Sequence, residues 1–270
     1  MGRNTIVQEL RGLEMDEITI AILARNKAKY LPLYLTCLQW QTFPKSNTHL
    51  YIRSNDNVDD TTKILKQWTK QNKKYYASVA EDYTDLGLER VLEHEWERID
   101  RFTTLCKIRQ DSIKYAENIG THYFVADCDN FIIPETIETL VNTNKDIIGP
   151  LLKTLIPGSL YSNYHYNIDV NGYSDDGYNQ SSTEYIKIFN MEKRGLHEVR
   201  VVHCTYLVRN NVLSNINYND GSGRFDYVVF SSEARKHNVR QYIDNRKFYG
   251  LLALHDEYDE EKFRNEMTKL

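Results

Sequence analysis

Apolar residues along this chain fall into short unbroken runs, separated by stretches in which they recur every three or four positions. Residues 18–24, ITIAILA, have no polar face, the mark of a strand covered on both sides in a parallel sheet. A helical spacing predicts a helix over about 30–40, ended near Pro44, and HLYIRS over 49–54 predicts a second strand. The turn-rich stretch SNDNVDDT over 54–61 ends in helix-capping residues and leads into a helix with Ile64, Leu65 and Trp68 on one side. YYASVA over 75–80 supplies a third strand. Strand, helix, strand, helix is the rhythm of a doubly wound α/β sheet.

A helix over 101–120 ends on Gly120 and carries Phe102, Leu105, Arg109, Ser112 and Ala116 on one stripe. Arg109 occupies an apolar position there, so it requires a carboxylate or a phosphate, and a core carboxylate is the commoner solution. The strand HYFVAD follows and ends in the acids Asp127 and Asp129. In an extended segment, side chains two apart share a face, so these two could grip one divalent cation and, through it, a diphosphate. An Asp-x-Asp is equally at home as a pair of solvated loop acids.

A short helix after Pro134 and the strand DIIGPLL carry the chain to about 152. Residues 153–190, rich in Tyr, Asn, Ser, Gly and Asp without sustained periodicity, read as loops and hairpins over one end of the sheet. VRVVHCTYLV over 199–208 reads as one strand, FDYVVFSSEARKH over 225–237 as a helix, and VRQYID over 239–244 as a late strand. The tail from 256 reads as a polar helix or a frayed end. The organisation expected is an extension over 1–17 and one domain over 18–255, with a first half at about 18–152 and a second at 153–255.

Ligands of open α/β sheets bind outside the carboxyl ends of the strands. Arg25 and Asn26, the 54–59 loop and residues 127–130 all lie at such ends and converge on one rim. His255, in LLALHDEYD, is a candidate third metal ligand, weighed against an ordinary surface histidine. Asp226 opens the 225–237 helix and reads as a base for an incoming hydroxyl, as the partner of a cation, or as an acid favoured by the helix dipole. Tyr161, Tyr164, Tyr166, Tyr173, Tyr178 and Tyr185, with Asp175 and Asp176 among them, could form a platform for a sugar face and acids for an ammonium group; with 20 tyrosines in the chain, packing is the competing reading.

Composition narrows the classes. With 34 basic and 38 acidic residues and no long basic run, nucleic acid is not the expected partner. The four cysteines form no CxxC pair, which argues against a zinc site or a disulfide framework. The first residues lack the apolar core of a signal peptide, and no stretch approaches a membrane span, so the expected setting is cytoplasmic or virus-associated. A homo-oligomer stays open.

Six ordered blocks carry a family resemblance: ITIAILARNKAKYLPLYLTCL, LYIRSNDNVDDTTKILKQW, HYFVADCDNFIIPETIETL, GPLLKTLIPGSLYSNYHY, VRVVHCTYLV and RFDYVVFSSEA. They resemble successive blocks of the collagen glycosyltransferases over roughly 18–255. That family comprises procollagen galactosyltransferases, the glycosyltransferase domain of multifunctional lysyl hydroxylases and versions in giant viruses; its cellular members work in the endoplasmic reticulum lumen. The resemblance implies a GT-A fold, a Rossmann-like nucleotide-binding half joined to an acceptor half, using a UDP-sugar and manganese. By similarity, Asp127 and Asp129 would bind the metal, with His255 closing the coordination. Arg25, Asn26, Ser54, Asn55, Asp56, Asn57 and Asp59 would hold the nucleotide, Arg109 and Cys128 the donor side, and Tyr164, Asp175, Asp176 and Asp226 the acceptor. The family tends to show Asp where Asn55 stands, and a second Asp beside Asp226 where Tyr227 stands.

The implied acceptor is hydroxylysine, or its glycan, in a collagen-like polypeptide. One reaction adds galactose to hydroxylysine with inversion and needs a base; the other adds glucose from UDP-glucose to galactosylhydroxylysine with retention. Reduction of the acidic pair to Asp226 favours the second. The competing classes are a divalent-metal phosphohydrolase and a non-catalytic glycan-binding module.

Overall fold

The computed structural model describes residues 16–87, 99–175, 182–254 and 258–270. The first apolar run forms β1 (Ile18–Ala24), and the alternation continues through α1 (Leu31–Gln39), β2 (Thr48–Ser54), α2 (Thr61–Asn72), β3 (Ser78–Asp82), α3 (Ile99–Ile119) and β4 (His122–Ala126). Then come β5 (Asn130–Ile132), α4 (Thr136–Asn142), β6 (Ile147–Pro150), β7 (Leu152–Lys153), β8 (Tyr164–His165) and α5 (Thr183–Phe189). The chain ends through β9 (Leu196–Val199), β10 (Val201–Val202), β11 (Thr205–Val208), α6 (Asp226–Lys236), β12 (Gln241–Asp244), β13 (Gly250–Leu252) and α7 (Glu260–Met267).

Eight strands build the main sheet in the order β3-β2-β1-β4-β11-β6-β12-β9. β1 pairs in parallel with β2 and β4, while β11 runs antiparallel between β4 and β6. Side-chain parity explains why β1 tolerates no polar face. Ile18, Ile20 and Ile22 pack with Leu31, Leu35, Leu38, Leu65 and Trp68 in one cluster, whereas Ala21, Tyr123 and Val125 join Ile113, Ala116 and Phe230 in a second. Each such aliphatic side chain contributes roughly 1.5–3 kcal/mol by leaving water.

Several expected boundaries move. The 199–208 run is three strands, pairing in turn with β12, with β8, and with β4 and β6 together. The break before β11 falls at Cys204, whose φ of 61° is left-handed. An apolar β-rich run reports burial but not which neighbour each segment meets. DIIGPLL likewise divides at Leu151, whose N–H donates to Asp244 O and whose carbonyl accepts from Tyr249 N–H, both at 2.9 Å. The third strand begins at Ser78 because Lys73–Tyr75 is a tight 3₁₀ turn.

Within 153–190, read as loops and hairpins, lies α5, capped by the Ser182 side chain, which accepts from Tyr185 N–H. Its 7 residues are too few for a helical period to register. The tail is helix rather than frayed end, anchored by Phe263, 2% exposed, against Phe131 and Tyr258. No helix among the described residues is long and apolar enough to cross a membrane.

One close approach helps to shape the site. β13 runs antiparallel to β5, and a Cβ on Gly250 would lie 2.0 Å from the Phe131 carbonyl oxygen, so only glycine fits there. The pairing brings Ala253 to Asp129, where Ala253 N–H donates to Asp129 O at 2.9 Å.

Candidate active site

Because β1, β2 and β4 are parallel, their carboxyl ends share one edge, and a cleft of ≈ 270 Å³ opens there. Arg25, Lys27, Arg53, Asn55, Arg109, Asp127, Cys128 and Asp129 line it, together with Leu105 and Ile108 of α3.

The two acids reach the cleft by a different route from the one the sequence suggests. β4 stops at Ala126, and Asn130 N–H donates to Asp127 O at 2.8 Å, closing a turn over Cys128 and Asp129. The acids therefore sit at the start of a turn and within it, and do not alternate along an extended strand. Asp127 is further held by its own N–H, which donates to Cys204 O at 2.8 Å, so the left-handed Cys204 is part of the site's frame.

Arg109 has a carboxylate partner, as its apolar stripe requires, and in fact two. Its Nη2 donates to Asp127 Oδ1 at 2.7 Å, and its Nε lies 2.6 Å from Asp226 Oδ2, close enough for an ion pair but without hydrogen-bond alignment. The Arg109 side chain is 5% exposed and that of Asp226 is 13% exposed. Burial works against the guanidinium's charge, yet Asp127 and Asp226 outweigh it and hold its pKa well above the ordinary value. Burial pushes the Asp226 carboxyl up; Arg109 opposes that rise and Asp127 adds to it.

Asp129 pairs with Lys27 Nζ, with 24% and 31% of the two side chains exposed. Burial alone would lower the Lys27 pKa, but the charge and hydrogen bond of Asp129 hold it above its ordinary value. Two hard carboxylates at one cleft suit an oxygen-seeking divalent cation, whose remaining positions a diphosphate and water can fill. Among the described residues no group of three or more His, Cys, Asp or Glu comes together as a metal cluster. Asp127 and Asp129 fit the cation on this chemistry, and His255 lies outside the described residues.

The polar loop residues divide into two kinds. Asn26, left-handed at φ 53°, donates its N–H to Asn57 Oδ1 and accepts Val58 N–H on Oδ1, both at 2.8 Å. Ser54 Oγ accepts from Asn57 Nδ2 at 2.7 Å, and Asp59 accepts the N–H groups of Ala28 and Thr61, each at 3.0 Å. The Asp56 carboxylate accepts Leu86 N–H at 3.1 Å and Gly87 N–H at 3.0 Å. These side chains stitch the loops together and shape the rim. Arg25 and Asn55 line the cleft itself, as do Lys27 and Arg53, which sequence reasoning missed. The missed signal was present in both cases: Lys27 follows β1 as Arg25 does, and Arg53 is a cation inside an apolar strand, as Arg109 is inside an apolar stripe.

Of the tyrosines considered for an acceptor platform, Tyr164 takes the packing reading instead. Tyr164 is fully buried, stacked on Tyr185 at 4.5 Å, with its hydroxyl donating to Tyr185 O at 2.8 Å. It is a core residue, because β8 turns it into the second hydrophobic cluster. Asp175 is exposed, while Asp176 and Tyr178 lie outside the described residues. Tyr227 packs beside a stacked histidine pair that the sequence did not point to, His165 and His203, whose centroids are 4.7 Å apart.

Burial pushes the His165 pKa down to about 4, and burial followed by the charges of His165 and Arg109 pushes His203 well below its ordinary value. Because the folded His165 value lies below the unfolded one of about 6.5, its contribution is fully present above that pH and is lost as pH falls towards 4. The part of the thermal midpoint that His165 contributes should therefore be constant above pH 7 and decline below about 6.5, by the equivalent of ~3 kcal/mol. His165→Gln should make the fall shallower; an unchanged pH profile in that variant would remove His165 as its source.

Compared with known proteins, residues 15–269 match a family described as Glycosyltransferase family 25, N-terminal domain. Procollagen galactosyltransferase 2 of Homo sapiens is 29% identical over 269 residues, covering 94% of this chain and 41% of the human protein. A glycosyltransferase 25 family member of Aedes aegypti is 29% identical over 256 residues, covering 89% of this chain and 41% of that protein. The chain thus spans about two-fifths of the length of these relatives. Among solved structures, S. aureus TarS 1–349 in complex with UDP-GlcNAc matches with a TM-score of 0.55 and 16% identity, over 91% of this chain and 60% of that one. Mannosyltransferase PcManGT from Pyrobaculum calidifontis, in complex with GDP-Man and Mn2+, matches with a TM-score of 0.53 and 10% identity, over 94% of this chain and 65% of that one. At such identities the likeness is one of fold: the mixed α/β sheet is of the GT-A type.

Proposed function

Because the chain belongs to glycosyltransferase family 25, we propose that it transfers a hexose from a UDP-sugar to hydroxylysine, or to a hydroxylysine-linked sugar, of a collagen-like polypeptide. The observation that carries this reading is the meeting of Asp127 and Asp129 with Arg109 and Lys27 in one cleft at the carboxyl ends of the parallel strands. Asp127 and Asp129, with His255, would hold manganese, which supplies Lewis-acid stabilisation of the departing diphosphate. Arg109 is oriented before any donor arrives, since Asp127 and Asp226 grip it from two sides. A cation fixed in advance stabilises charge that develops on the leaving group without having to reorganise. Arg25 and Asn55 line the same cleft for the nucleotide, and Asp175, with Asp176, would face the acceptor's ammonium group.

Two donor readings each have an observation behind them. The name of the human relative, a procollagen galactosyltransferase, favours galactose as the sugar transferred, which in the proposed scheme is UDP-galactose acting on bare hydroxylysine. The Asp226–Arg109 ion pair favours UDP-glucose and galactosylhydroxylysine with retention, because a carboxylate held 2.6 Å from a guanidinium is committed to that cation and would have to leave it to reach an incoming hydroxyl. Release of UDP from both donors, measured with manganese or chelator against both acceptors, separates the two. No manganese-dependent release with any pairing would overturn the proposed activity.

Asp226→Asn tests the acceptor side. Turnover should fall by about 10²-fold or more while UDP affinity changes little. A loss confined to UDP binding would instead assign Asp226 to the donor.

A further inference from the structure

The two cations on the metal-binding acids are held very differently. Arg109 is buried and gripped by Asp127 and Asp226 together, so it has nowhere to go. Lys27 is anchored only through its backbone, where its N–H donates to Thr61 Oγ1 at 2.7 Å. Its head group rests on Asp129, with the side chain 31% exposed and Nζ 5.1 Å from the Tyr30 ring centroid. It also lines the cleft into which a donor diphosphate would enter. Asp129 cannot serve a divalent cation well while an ammonium group sits in contact with it, since the two positive charges would compete for the same oxygens.

We propose that Lys27 is a displaceable counter-ion, neutralising Asp129 when no metal is bound and moving to a phosphate oxygen of the donor when a divalent cation and a nucleotide diphosphate enter together. The proposal rests on the reading of Asp127 and Asp129 as metal ligands. Its consequence is coupling. A cation arriving alone must evict the ammonium group while itself drawing on Asp127 and Asp129, the two anions that Lys27 faces in this cleft, whereas the nucleotide brings a new anion with it. Metal and nucleotide therefore raise each other's affinity by more than their direct contact requires, and the excess is reciprocal.

The test is binding to the full chain and needs no turnover. Manganese alone, UDP in the presence of chelator, and manganese at saturating UDP are titrated by calorimetry into the parent protein and into Lys27→Met, Lys27→Arg and Lys29→Met. Lys29 is the control, because its Nζ lies over the Tyr30 and Tyr258 rings, with 5.5 and 5.9 Å to their centroids, in the same loop. In Lys27→Met, manganese alone should bind about fivefold tighter or more, UDP in chelator about fivefold weaker, and the coupling between them should shrink. Lys27→Arg and Lys29→Met should behave like the parent.

Parent-like affinities in Lys27→Met, or the same manganese gain in Lys29→Met, overturn the proposal while leaving the metal site standing. A parent protein that binds neither manganese nor UDP overturns the metal-site reading and this proposal together. Thermal midpoints equal to the parent's confirm that the variants are folded, which the position of the Lys27 side chain outside the core leads one to expect.

Discussion

Asp129→Ala should abolish manganese-dependent UDP binding and lower turnover by about 10²-fold or more, with the fold intact. The side chain pairs with Lys27 and is 24% exposed, whereas the structural bond at this position, from Ala253 N–H, goes to the backbone oxygen that alanine retains. The pair is partly buried, so losing it costs on the order of 1 kcal/mol, limited by the freedom of the Lys27 head group to turn to water. Loss of metal binding without loss of structure is therefore the signature of a ligand. Calorimetric titration of manganese and UDP, together with UDP release and a thermal melt, checks it. Near-parent turnover with manganese would end the metal assignment.

Arg109→Met should be worse for the protein than for the site alone. It removes the cation between Asp127 and Asp226 and leaves two carboxylates without a counter-charge, one of them 13% exposed. Breaking a buried pair from one side costs about 3–5 kcal/mol, which for a chain of this size is a fall in thermal midpoint on the order of 10 °C. Denaturant unfolding and a thermal melt measure it. Arg109→Lys should recover only part, since an ammonium group cannot reach both carboxylates with the planar fork that a guanidinium presents. Stability equal to the parent's would mean that the two carboxylates do not depend on Arg109. Turnover should fall in both variants, because the pre-oriented charge is gone.

These two expectations differ in how far they could be read from residues alone. Asp127 and Asp129 were legible because a buried strand ends in them, and Arg109 because a cation on an apolar stripe demands an anion. That its anions are Asp127 and Asp226 was not legible. They come from the turn after β4 and from the start of α6, segments about 100 residues apart that the fold brings together across α3. The loop over 54–59 shows the opposite case. Its polar residues look free to bind a nucleotide, yet Asn57, Asp56 and Asp59 are engaged by backbone groups of the neighbouring segments. Tyr164 failed for a related reason: a tyrosine in a polar stretch reads as exposed, but pairing of β8 with β10 turns it into the core.

The sequence by itself determined the α/β alternation, the buried β1 and β4, and the placing of acids and cations at the carboxyl ends of strands, because periodicity and burial are local properties that each segment carries with it. Tertiary structure decided the division of 199–208 into three pairings, the turn that presents Asp127 and Asp129, and which cation each acid holds. Those outcomes depend on which segments become neighbours. Hydrogen-bond and charge partners are chosen across the fold, and a residue type alone cannot name the one it will meet.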